Sequence, residues 1–152
     1  MELRLAYIAG IAKQETEALE ALGIAHTNQL LHLTSVGIDR QRVCARTGIS
    51  PDRLCEFARQ CSLMEVTGIL PYLRYLPQVG INGPKDLRRA DPLALQKGLE
   101  RAVGPHRAPT TQMVEYWISQ ERSIDVLEED GEMAPASLSS PSVFGQPPQS
   151  DI

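Results

Sequence analysis

VTGILPYLRYLPQVGI, residues Val66 to Ile81, places a Gly-Ile step at each end of an apolar segment that carries two prolines. Glycine tolerates the positive φ of a tight reversal, so Gly68 and Gly80 mark chain corners. Pro71 suits the first turn of a helix. Pro77 removes a backbone donor further along and predicts a short or kinked helix there. Such a corner has two physical uses. It can present successive backbone N–H groups to an anion, aided by the positive end of the helix dipole. It can also simply reverse the chain between helices, with Ile69 as a core plug.

The same pattern occurs earlier. YIAGIAKQETEALEALGI (Tyr7–Ile24) parallels EVTGILPYLRYLPQVGI (Glu65–Ile81), with Gly10 against Gly68, Ile11 against Ile69, and Gly23-Ile24 against Gly80-Ile81. Further on, ISPDRLCEFARQ parallels APTTQMVEYWISQ, with Phe57 against Trp117. The offset is about 57–60 residues with a one-residue gap. This predicts two copies of a helical unit, about residues 5–61 and 62–124, each too small for a core of its own and sharing one when packed together.

Between the corners the chain reads as helix. QETEALEALG carries Ala18, Leu19 and Leu22 on one face, with Gly23 closing it. Thr27 is the expected N-cap of TNQLLHL, and DRQRVCARTG is expected to start at Asp39 and end at Gly48. SPDRLCEFARQCS has Ser50 as N-cap, Pro51 at the first helical position and Asp52 in the first turn. DPLALQKGLERAVG repeats the device with Asp91 and Pro92. TTQMVEYWISQERSIDVL, capped by Thr110 or Thr111, brings Met113, Val114, Trp117 and Ile118 to one face, Trp117 being expected in packing. No strand alternation occurs, so the fold class is all-α.

The repeated unit resembles the helix-hairpin-helix motif, a short helix, a Gly-hydrophobic-Gly turn and a second helix. Residues 5–124 as a whole are similar to a bacterial family, frequent in cyanobacteria, known only as a domain of unknown function. The stretches that carry the likeness are IAGIA with LGIAHTNQLL, RTGISPDRLCEFARQCSLMEVTGI, VGINGPKDLRRADPLALQKGL and RAPTTQMVEYWI. The resemblance implies a tandem helix-hairpin-helix-like domain of the kind that serves packing, protein interaction or DNA phosphate contact. The sequence departs from the motif where its second glycine should stand: Ala12 occupies that place in the first copy and Leu70 in the second.

Composition agrees with a helical domain. The chain has 152 residues, 42% hydrophobic and only 5% aromatic, so Leu, Ile, Val and Ala must build the core. No apolar run approaches the length of a membrane span, and no signal or transit peptide is evident, which points to the cytoplasm. Cys44, Cys55 and Cys61 lack metal or disulfide spacing, and Cys55 and Cys61 are expected to pack as small apolar residues. Six of the nineteen acids lie at or beyond Asp125, where Lys and Arg are absent, so residues 1–124 carry fifteen basic and thirteen acidic residues, a net of +2. Residues 125–152 are rich in Pro, Ser and acid and are expected to form a flexible acidic tail, with Val143-Phe144 as a possible docking motif.

The candidate binding residues follow from the corners. Gly10, Ile11, Ala12 and Lys13 in the first copy and Gly68, Ile69, Leu70 and Arg74 in the second are the positions where phosphate or a partner would meet the turns. Arg40, Arg42, Arg46 and Arg53 form a basic run that would have to share their face if DNA were bound. No nucleophile has a neighbouring base, no nucleotide loop is present, and His26, His32 and His106 have no ligand spacing. The expectation is a non-enzymatic binding or scaffold module without cofactor or metal, acting on a protein partner. Weak, sequence-nonspecific DNA binding through the turns is the alternative, though +2 is a small charge for neutralising phosphates. DLRRADP, with Asp86, Arg88 and Arg89, reads as a solvated helix end, a basic spot for a partner being the alternative.

Overall fold

Capping side chains set the helix starts. In the computed structural model, which describes residues 3–124 and 127–129, Ser50 accepts the Arg53 N–H ahead of Pro51, Asp91 accepts the Ala94 N–H ahead of Pro92, and Thr110 accepts the Met113 N–H. Each satisfies a donor that the first helical turn leaves without a partner. The resulting order is α1 (Lys13–Glu20), α2 (Thr27–Thr34), α3 (Gly37–Thr47), α4 (Pro51–Met64), a 3-10 segment (Leu70–Val79), α5 (Pro84–Arg89), α6 (Pro92–Val103) and α7 (Thr111–Ile124), preceded by a 3-10 turn at Leu5–Tyr7. The fold is all-α: among the described residues the β contact is a single isolated bridge, Arg4 with His26. None of those helices is long and apolar enough to cross a membrane.

Two helix starts differ from expectation. Thr27 does not cap α2; it is the first helical residue, buried, and the Gln29 side chain instead accepts the N–H groups of Ala25 and His26. α3 starts at Gly37, two residues before Asp39, which lies in its first turn. The segment containing Pro77 is a ten-residue 3-10 stretch, as a proline within the run requires: a pyrrolidine nitrogen cannot donate to the ladder.

Two core clusters form along the chain. The first gathers Leu5, Ile8, Leu19, Ile24, Leu30, Leu54, Phe57 and Met64. The second gathers Leu63, Val66, Ile69, Leu76, Leu87, Leu99, Val114 and Trp117. Each fully buried Leu, Ile or Phe contributes roughly 1.5–3 kcal/mol. α4 belongs to both, through Phe57 and Met64 on one side and Leu63 on the other, and Leu73 of the 3-10 segment packs against both. α4 packs on α2 and α3, while α7 packs on α5 and α6. α4 and the 3-10 segment therefore form the seam between the clusters. Trp117 is buried and tilts against Tyr72 at 5.4 Å between ring centroids. Cys55 and Cys61 are buried free thiols.

Residues 127–129, within the expected tail, pack on the body. Leu127 is buried in the first core, and Glu128 and Glu129 bond to α3 and α4. The rest of the expected acidic tail, including Val143 and Phe144, lies outside the described residues.

Candidate functional site

The first corner is built from α1, α4 and the turn before Lys13. Gly10 has φ +80°, a left-handed value that costs a residue with a Cβ. The Ala9 N–H donates to Gln60 Oε1 at 2.8 Å, and the Ala9 carbonyl accepts from Gln60 Nε2 at 3.2 Å. Ile11 N–H bonds to the Ile8 carbonyl, and Ala12 N–H to Glu15 Oε1 at 2.9 Å. Arg53 grips Glu15 with both Nε and Nη2, at 3.0 and 3.1 Å, and also donates to the Gly10 carbonyl at 2.7 Å. Its guanidinium lies over the Phe57 ring, 4.7 Å from the centroid. The Arg53 hydrogen bond holds the Glu15 carboxyl below the usual carboxylate range, against an opposing effect of burial.

This corner is filled from within. The N–H groups of residues 9, 11 and 12 all have acceptors in the protein, and the Glu15 carboxylate already supplies a negative charge at the α1 N-terminus. Lys13 is exposed, and Ile11 is half-buried against the first core.

The second corner repeats the construction. Gly68 has φ +89°, and a Cβ there would lie 3.4 Å from Trp117 Nε1. Thr67 N–H donates to Gln120 Oε1 at 2.9 Å, and its carbonyl accepts from Gln120 Nε2 at 3.3 Å. Ile69 is fully buried and Leu70 half-buried. Gln60 and Gln120 thus hold the peptide just before Gly10 and Gly68 in the same way. Neither glutamine stands out by its own chemistry. The signal was the repeat, which sets ISPDRLCEFARQ against APTTQMVEYWISQ and so aligns the two residues.

The expected basic run does not form one patch. Arg40 is 1% exposed and donates from Nη1 to the Thr34 carbonyl at 2.9 Å and the Ser35 carbonyl at 3.4 Å, closing the end of α2. Helical spacing carried the warning: Arg40, Val43 and Thr47 fall on one stripe of α3, whereas Arg42 and Arg46 share another face and are exposed. Arg53 is tied to Glu15 and Glu56.

The structure does bring Arg53 and Arg74 to one place. A groove of about 680 Å³ runs along the seam, lined by the apolar side chains of Phe57, Leu63, Leu70, Leu73 and Ile81 and by Arg53, Arg59 and Arg74, with Glu56 as its acid. Arg74 is exposed and held by Tyr75, its guanidinium 4.9 Å from the ring centroid and bonded to the hydroxyl at 2.8 Å. Arg59 also opens onto an adjoining recess of about 220 Å³ with Lys85, with Asp86 and Arg89 of the DLRRADP stretch, and with Glu129.

Acid–base features lie outside the groove. Burial raises the Glu121 carboxyl to about 7, with Arg88 pulling the other way, and neither carboxylate oxygen has a hydrogen-bond partner. Burial pushes the Cys61 thiol up to about 12, with the Glu65 charge adding to it, so that thiol is a poor nucleophile. Among the described residues no three His, Cys, Asp or Glu side chains gather to hold a metal.

Residues 9–124 match the family model described as Domain of unknown function (DUF4332), and the chain belongs to that family. No curated protein and no solved structure matched it.

Proposed function

For this member of a family without an assigned activity, we propose a non-enzymatic binding module that takes an apolar, acidic segment of a protein partner into the groove along the seam. The groove carries the reading, because it joins an apolar lining to three arginines. An apolar lining supplies burial energy, and guanidinium groups select carboxylates by paired hydrogen bonds. Arg53 is committed to Glu15 and Glu56 and Arg59 to Glu129, so Arg74 carries the charge selection.

We read the body as two helix-hairpin-helix-like units, about residues 5–61 and 62–124. Paired details support this. Ile24 N–H bonds to the Leu19 carbonyl at 3.0 Å and Ile81 N–H to the Leu76 carbonyl at 2.9 Å. Ala25 N–H bonds to Gln29 and Asn82 N–H to Asp86, each four residues on. Ser50 and Thr110 cap α4 and α7, and Gln60 and Gln120 clamp the two corners.

DNA binding through the turns is the weaker reading. A phosphate needs unoccupied amides and finds the first corner occupied by the Glu15 carboxylate. Display selection of random peptides against the full chain tests the choice. Acidic, apolar peptides should emerge and lose binding at least tenfold on Leu73→Glu or Arg74→Glu, the latter a surface change that spares the core. Duplex DNA titrated at 50 and 200 mM salt should show no binding at either. Tight low-salt DNA binding that collapses at the higher salt, with no peptide selected, would replace this reading by the DNA one.

A further inference from the structure

The chain following α7 is steered toward the groove. Leu127 is buried in the first core. Glu128 donates its N–H to the Ser35 carbonyl and accepts the Gly37 N–H on Oε1, each at 2.6 Å. Glu129, 8% exposed, pairs with Arg59 Nε at 2.5 Å. Arg59 lines both the groove and the recess that holds Glu129, and Asn82 lines both as well. Glu129 therefore stands beside the rim of the groove.

We propose that the segment Asp130–Phe144 of this chain is the groove's resident occupant, with Val143 and Phe144 against its apolar lining, and that a protein partner must displace it. The proposal rests on the groove being the binding site. Charge favours this occupant: the segment carries Asp130 and Glu132 and, like the rest of the chain from Asp125 on, no Lys or Arg. Arg59 is already met by Glu129; facing the occupant's acids are Arg74 in the groove and Lys85 and Arg89 in the recess, against Glu56 and Asp86. Length permits it. The fifteen residues from Asp130 to Phe144 reach up to about 50 Å when extended. α4, whose side chains line the groove, is fourteen residues and so about 21 Å long. Tethering helps further, because a short covalent connection gives an effective concentration of about millimolar, and a weak contact is then well populated.

The experiment uses the full chain with methyl-labelled Leu, Ile and Val. The chain has two phenylalanines, and Phe57 is buried in the first core, so ring contacts of Phe144 can be assigned by its removal. Nuclear Overhauser contacts should join the Phe144 ring to methyls of Leu70, Leu73 or Ile81, persist on hundredfold dilution and vanish in Val143→Ala/Phe144→Ala. A fluorescent peptide of residues 130–152 should bind that double variant at least tenfold more tightly than the wild-type chain. Absence of the contacts together with equal peptide binding overturns the proposal. Contacts that fade on dilution assign the segment to a second copy and overturn it equally. If the display-selected peptides bind wild type and double variant alike, and still fail on Arg74→Glu, the groove reading stands and the resident segment alone falls. If those peptides ignore Leu73→Glu and Arg74→Glu, the groove reading itself falls.

Discussion

Arg40 stands where the buried stripe of α3 calls for an apolar side chain, and the reason is the end of α2. The last carbonyls of a helix have no acceptor role within it, so the guanidinium spans Thr34 and Ser35 from the neighbouring helix. Arg40→Met should leave these carbonyls without their charged donor and cost about 2–3 kcal/mol in chemical denaturation. Arg42→Ala, at an exposed position paired only with Asp39, should change stability by about 0.5 kcal/mol or less. Glu121 is the converse case, a buried acid without a hydrogen bond. Its folded pKa, raised to about 7 from an ordinary 4.5, means that between these values the folded chain holds a proton the unfolded chain has lost. Its contribution is therefore most favourable below pH 4.5 and is lost as pH rises through 7. The loss is on the order of 3 kcal/mol for such a shift. Glu121→Gln should remove that slope, so that denaturation midpoints at pH 5 and pH 8 converge. An unchanged slope would place the titration elsewhere. Neither role was legible in the sequence as a site: an arginine in a basic run and an acid in an amphipathic helix look like surface residues until their helices pack.

At the scale of elements, local chemistry explains what was readable. Ser50-Pro51 and Asp91-Pro92 announce α4 and α6 because capping acts within three residues. Pro77 announces an interrupted helix for a similarly local reason. The start of α2 differs from the local capping pattern because its cap runs backward, from Gln29 to the amides of Ala25 and His26. The corners are held by contacts that span the chain. Gln60→Ala should remove two hydrogen bonds to Ala9, and Gln120→Ala two to Thr67, each at a cost of about 1–3 kcal/mol. The corners share neither partner nor clamp, so the double variant should lose close to the sum in denaturant titrations. A much smaller loss for either would mean that its glutamine does not hold the corner.

Across the whole molecule, two carboxyl groups of opposite displacement shape the response to pH. Glu15, held low by Arg53, contributes stability above its ordinary value of 4.5 and loses it as pH falls. Glu121 weakens the fold as pH rises from 4.5 through 7. Stability should therefore peak near about pH 5 and decline on both sides. Arg53→Met should flatten the acid limb alone, as followed by thermal unfolding across pH. Sequence by itself determined the helical class, the capped helix starts and the glycine corners, because each depends on residues within a turn or two of one another. Tertiary structure alone decided which of those corners' groups remain available and where the arginines go. Gln60 accepts the Ala9 N–H from 51 residues away, and the Ile11 and Ala12 N–H groups bond to Ile8 and Glu15. These amides, which a lone motif would offer to an anion, are thus taken by the fold, while Arg53 donates to the Gly10 carbonyl from 43 residues away. The groove arises in the same way: two cores meet at α4 and the 3-10 segment, and apolar and charged side chains distant in sequence become neighbours only once both have packed.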